Sequence, residues 1–116
     1  MLRVFLRSKI HRATVTETNL EYEGSISIDE ALLDAAGILP FEQLLIANLR
    51  NGERFETYVI PAKRDSGVVC VNGAAAHKAE AGDLVIVFQY AFLEPDEVAG
   101  HKPRLVYVDE SNRLKN

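Results

Sequence analysis

The residues with the most distinctive chemical potential lie in Tyr22-Glu23-Gly24-Ser25-Ile26-Ser27, where a glycine directly precedes a serine in what otherwise reads as a strand. Glycine weakens a strand interior, so the pair needs a reason. A serine hydroxyl can attack the preceding carbonyl only if the backbone bends to near-attack distance, and glycine lowers the steric cost of that bend. Attack by Ser25 on Gly24 would turn the amide into an ester. Elimination across Cα and Cβ of residue 25 would then free the Gly24 carboxylate, and hydrolysis of the dehydroalanine would leave a ketone at a new N-terminus, a pyruvoyl group. On the dipeptide alone, the plainer reading is a bulge or turn carrying a polar surface serine.

The surrounding elements are mainly strands. Residues 2–19 and 20–28 carry the partial alternation of half-buried strands. Ser27 with Glu30 reads as a capping box for one short helix, with Leu32, Leu33 and Ala36 at helical spacing and Gly37 as its stop. Asn51-Gly52 predicts a hairpin with a two-residue loop, which would pair Arg50 with Glu53, Asn48 with Phe55 and Ile46 with Thr57. Strands are also expected in 68–73, in 83–93 and in 103–108, with a loop or single helical turn in 94–102. Six or seven strands with one or two short helices suggest a closed β-barrel.

Residues 9–12 (Lys-Ile-His-Arg), 22–25 (Tyr-Glu-Gly-Ser), 28–38, 51–58 and 71–77 (Val-Asn-Gly-Ala-Ala-Ala-His) together resemble the pyruvoyl-dependent aspartate 1-decarboxylases, in order and with matching spacing. The resemblance implies a double-psi β-barrel assembled as a homotetramer with sites between subunits. It implies cleavage between Gly24 and Ser25 into fragments 1–24 and 25–116, with Ser25 becoming the pyruvoyl group that forms a Schiff base with substrate. The activity implied is the conversion of L-aspartate to β-alanine and CO2 for pantothenate synthesis, with no metal and no diffusible cofactor.

By the same resemblance, Arg54 and Lys9 bind the anionic substrate, Tyr58 returns a proton to the α-carbon, and Thr57 assists cleavage and contacts substrate. Asn72, with Gly73, Ala74 and Ala75, would steady the cleavage oxyanion and then the bound substrate. Tyr22 and His11 match positions near the site, although His11 reads equally well as a structural hydrogen-bond partner. Strict alternation sends Thr57 and Tyr58 to opposite strand faces, so both serve one site only with a bulge or with walls from different subunits. Ala47 stands where the family's familiar members carry tryptophan beside the pocket. The residue types do not indicate whether maturation needs a helper protein.

Bulk properties narrow the alternatives. A chain of 116 residues suits one domain, 1–116, and its composition, 47% apolar and 26% charged, is ordinary for a soluble globular protein. A net charge of −4 argues against nonspecific nucleic-acid binding, and no apolar run is long enough to span a membrane. Arginines break the N-terminal apolar run too early for a signal peptide, so a cytosolic setting is expected. The single cysteine, Cys70 among valines, reads as a buried strand residue without chemistry. Two rivals stand beside the decarboxylase: a hydrolase using Ser25 with His11 and Asp29, and a non-cleaving barrel serving as a binding or assembly module.

Overall fold

The computed structural model describes residues 1–115, so the last residue of the expected domain, 116, lies outside the described residues. In chain order the strands are β1 (Arg3–Thr14), β2 (Glu17–Asn19), β3 (Ser25–Asp29), β4 (Gln43–Asn48), β5 (Arg54–Ala62), β6 (Val69–Asn72), β7 (Leu84–Leu93) and β8 (Arg104–Tyr107). Helix α1 (Glu30–Ala36) follows β3, a 3-10 turn (Gly73–Lys78) follows β6, and the single turn α2 (Pro95–Val98) follows β7. The expectation of six or seven strands falls short of the eight among the described residues, because the run read over 2–19 breaks into β1 and β2.

The sheet order is β2-β6-β3-β5-β4-β7-β1-β8. β1 pairs with β7, and the same run of chain, two residues beyond β1, pairs as β2 with β6. Backbone bonds from Val15 N to Asp83 O (2.8 Å) and from Thr16 N to Val69 O (2.8 Å) bridge the change of partner. The sheet therefore closes on itself, and its mix of parallel (β2·β6, β3·β5, β1·β8) and antiparallel pairs fits the double-psi β-barrel. Asn112 locks the same corner, its side chain bonding both Thr14 N and O and the Gly67 carbonyl, each at 2.8 Å.

Alternation sorts the strands into two faces. Ile10, Ile26, Ile46, Val59, Val71 and Val85, each 0% exposed, point into the barrel. Burying such a side chain contributes about 1.5–3 kcal/mol, against roughly 0–1 kcal/mol for a surface ion pair. The core, rather than the exposed Arg64 pairs with Glu30 and Asp34, holds the fold.

Two local readings need correction. The N-cap of α1 is Asp29, not Ser27: its carboxylate accepts from Ala31 N at 2.8 Å, while Ser27 belongs to β3. The same carboxylate accepts from Asp65 N and Gly67 N, both at 2.9 Å, and tying down three amides outweighs what a serine hydroxyl offers. Gly37 does end the helix, in the left-handed region at φ 71°.

The hairpin forms, but with Ala47 opposite Arg54, Ile46 opposite Phe55 and Leu44 opposite Thr57, so the loop is four residues (49–52) rather than two. A two-residue slip keeps every side chain on its own face, so alternation cannot distinguish the registers. Asn48 decides. It is buried, its Oδ1 accepts from Arg50 N (3.0 Å), and its Nδ2 donates to Lys78 O (3.0 Å) and Asp83 Oδ2 (2.8 Å). Arg50 is drawn to Asp83, with Nε at 2.6 Å, instead of pairing with Glu53.

The Arg50 bond, seconded by Asn48 and by the Glu80 amide and opposed by burial, holds the Asp83 carboxyl at about 2, below its ordinary 3.8. A depressed folded-state pKa contributes stability above the unfolded value and loses it as pH falls toward the folded one. Unfolding titrations should therefore show stability dropping between about pH 4 and pH 2, and Asp83→Asn, followed by urea denaturation, should be less stable than wild type at pH 7 with a shallower acid slope.

Candidate active site

β3 and β6 run antiparallel with Ser25 opposite Asn72 and Ser27 opposite Cys70. Since Ile26, Ile28, Val69 and Val71 fill the barrel interior, these four residues share the outer face. Ser25 is nonetheless 0% exposed, because the chain before it folds over it. Its Oγ donates to the Glu23 carbonyl at 3.1 Å and accepts from Asn72 Nδ2 at 3.0 Å. Asn72 Nδ2 also reaches Ser27 Oγ at 3.0 Å, and the Cys70 thiol donates to Asn72 Oδ1 at 3.1 Å.

Gly73 fixes the other side of the junction. Its φ is +69°, and a Cβ there would lie 2.6 Å from Gly24 Cα, 2.8 Å from Gly24 N and 3.1 Å from the Tyr22 carbonyl. Only glycine allows the start of the 3-10 turn to press against residues 22–24. Gly24 itself has open space around a would-be Cβ, so packing in the uncut chain does not demand glycine there. Ala74 is exposed and Ala75 half-buried on the turn that Asn72 leads into, while Tyr22 lies exposed in the turn before the junction.

β5 lies beside β3 with Val59 opposite Ile26, which sets Tyr58 level with Ser25 on the outer face. Tyr58 packs against Phe41, ring centroids 6.4 Å apart. The β4·β5 register runs without a break through Thr57 and Tyr58, so Thr57 turns to the inner face with Phe55 and Val59. Within one chain the two residues stand on opposite faces, as alternation requires.

The cations form a separate group. Arg54 Cζ lies 5.7 Å from the Phe88 ring centroid, a cation-π contact, and Lys9 sits directly across β1·β7 from Phe88. Among the described residues neither makes an ion pair. Arg54 is four residues along β5 from Tyr58, roughly 13 Å. No hydrogen bond joins either cation to the Ser25 cluster among the described residues. Ala47, opposite Arg54, leaves the half-buried wall beside this group small.

His11 belongs to neither group. Its ring meets Tyr107 edge-on at 5.8 Å, and its buried Nδ1 has no hydrogen-bond partner among the described residues. Burial, then Lys9 and Arg12, pushes its pKa below 6.5. The hydrolase arrangement is not assembled: His11 packs edge-on against Tyr107, and the Asp29 carboxylate is taken up by three backbone amides. Reading the sequence missed Cys70 and Ser27, whose i and i+2 spacing to Asn72 and Ser25 was the available signal.

Fold and site together define a closed β-barrel that buries Ser25, directly after the exposed Gly24, against Asn72 and Gly73. Comparison is more specific. The family model described as aspartate decarboxylase matches residues 1–115, and the chain belongs to that family. Among similar proteins, one named aspartate 1-decarboxylase from Syntrophus aciditrophicus (strain SB) is 57% identical over 100% of both chains. Another of that name, from Acaryochloris marina (strain MBIC 11017), is 59% identical over 98% of this chain and 87% of its own. A third, from Lactiplantibacillus plantarum (strain ATCC BAA-793 / NCIMB 8826 / WCFS1), is 57% identical over 98% and 88%.

Gly52, at φ +73°, shares the backbone conformation of Gly73 but has open space. Gly73→Ala should therefore lower stability more than Gly52→Ala, by an additional amount on the order of 1–3 kcal/mol, read from the difference in denaturant midpoints.

Proposed function

We propose that the chain is a self-processing, pyruvoyl-dependent decarboxylase that converts L-aspartate to β-alanine and CO2, a step supplying pantothenate synthesis. The observation that carries this is the junction itself. Ser25 Oγ is buried and held between the Glu23 carbonyl and Asn72 Nδ2, and Gly73 presses on Gly24 with no room for a Cβ. Such a cradle suits a hydroxyl that must meet one carbonyl.

In the cleavage, the Ser25 Oγ bond to the Gly24 carbonyl carbon forms as the Gly24–Ser25 C–N bond breaks, and the hydroxyl proton ends on the Ser25 nitrogen. Loss of the residue 25 Cα proton then expels Gly24 as a carboxylate. Water replaces the nitrogen of the resulting dehydroalanine, releasing ammonia and leaving a ketone. The residues present fit that group: Asn72 Nδ2 and the glycine-lined turn surround residue 25 with donors and little bulk. A ketone there supplies an electron sink for the pair left on the substrate α-carbon when CO2 departs.

Arg54 takes a substrate carboxylate through its planar fork, and Lys9 adds positive charge. Net negative charge does not forbid this, since a contact near 4 Å at an effective dielectric near 20 is worth roughly 4 kcal/mol while distant charges are screened beyond about 8 Å. Tyr58, level with residue 25, returns the proton to the α-carbon, and the amides of Gly73, Ala74 and Ala75 hold the substrate; Thr57, on the inner face with Phe55 and Val59, takes no part at the junction of its own chain. Tyr22 stands at the approach to the junction, and His11, packed on Tyr107, is left a structural part.

Homotetramer assembly brings the cation group of one subunit to the junction of another. Two features support it: the two groups lie apart within one chain, and exposed Val4, Tyr90 and Phe92 flank a groove of about 260 Å³ beside Phe88. The buried, free Cys70 thiol suits a reducing, cytoplasmic setting. A non-cleaving module is not favoured, because the similar full-length proteins are named for the decarboxylase activity.

Intact-mass analysis of purified protein should find fragments 1–24 and 25–116, the larger without a free α-amine. Ser25→Ala should remain one chain and be inactive. Tyr58→Phe should cleave normally yet turn over aspartate about 10²- to 10⁴-fold more slowly; normal turnover in that variant would remove Tyr58 from its role.

A further inference from the structure

The roles above leave out Cys70, yet its thiol touches the residue that grips Ser25. A carboxamide offers two N–H donors on one atom and two lone pairs on the other. Ser25 Oγ lies 3.1 Å from the Glu23 carbonyl, which can only accept, so the single hydroxyl proton is spent there. The 3.0 Å contact between Ser25 Oγ and Asn72 must therefore use an amide N–H. The second N–H goes to Ser27 Oγ, also at 3.0 Å. With Nδ2 turned toward both serines, Oδ1 faces Cys70 Sγ at 3.1 Å. Turned half a revolution, the amide would set oxygen against oxygen at Ser25.

Cys70 is 7% exposed, and burial, with the Glu17 carboxylate adding to it, raises the thiol pKa, so the sulfur keeps the proton that it donates. The group it orients faces the atom where charge develops. When the Cβ–Oγ bond breaks during elimination, its electron pair moves to Oγ as Gly24 departs, and an N–H aimed there stabilises that charge.

We propose that Cys70 is a positioning residue for self-cleavage, its S–H holding the Asn72 carboxamide in the orientation that directs an N–H at Ser25 Oγ. The inference rests on the self-cleavage reading and deepens it. Loss of a buried bond of this kind slows a dependent step by roughly tenfold or more.

The test follows cleavage by intact mass over time in freshly purified wild type, Cys70→Val, which nearly keeps the volume without a donor, and Cys70→Ser, which restores one. Melting temperature is read alongside, and turnover is expressed per cleaved chain. The expected result is cleavage at least about tenfold slower in Cys70→Val, near-normal cleavage in Cys70→Ser, and similar turnover per cleaved chain in all three. Cys70→Val keeping pace with a cleaving wild type overturns the proposal alone, as does Cys70→Ser being as slow as Cys70→Val. If Cys70→Val does not fold, the serine variant decides: near-normal cleavage supports the donor role and slow cleavage overturns it. A wild-type chain that stays whole overturns the self-cleavage reading, and the proposal with it.

Discussion

Everything at the junction depends on how closely the end of β6 approaches the start of β3. Asn72 and Gly73 are consecutive, and they act on consecutive residues of the other strand, the first through hydrogen bonds to Ser25 and the second through backbone contact with Gly24. The interaction is strong because it is dry. Ser25 and Asn72 are 0% and 2% exposed, and polar groups at such depth must be paired or incur a large penalty. The hydroxyl consequently has one position rather than several. Positioning of this sort is what turns an ordinary serine into a reactant.

The barrel makes that approach possible. β3 and β6 are distant in sequence, and only closure through the β1–β2 corner places the turn after Asn72 beside residues 22–24. The cations meanwhile are positioned by other strands, around Phe88 on β7. A single chain thus carries the Ser25 cluster and the cation group apart from one another. Arg54 and Lys9 make no ion pair among the described residues, which leaves their charge available to an anion.

Much of this was legible beforehand, and the omissions have identifiable causes. The mainly-β character, the helix stop at Gly37 and the burial of Cys70 follow from local pattern, which left 94–102 open between a loop and the helical turn observed. The hairpin register did not, because slips of two leave alternation unchanged and the deciding bonds run from Asn48 to residues about 30 positions away. The cap was misassigned because Asp29 draws on Asp65 and Gly67, which no local window contains. The candidate site residues came from the resemblance and their types, but the link from Cys70 through Asn72 to Ser25 appears only once β3 is known to pair with β6.

The placement of β1 has a consequence for a chain broken after residue 24. β1 is paired on both sides, with β7 and β8, near one end of the strand order, and the short β2 pairs with β6 at the other end, so an N-terminal piece severed there would be held at both ends of the sheet. Such a piece would stay associated after a nick. Once heat separates the two pieces, however, regaining the barrel becomes an encounter between two molecules, and the effective concentration that the peptide bond once supplied is gone. Durability of the nicked barrel is then governed by how slowly it first comes apart.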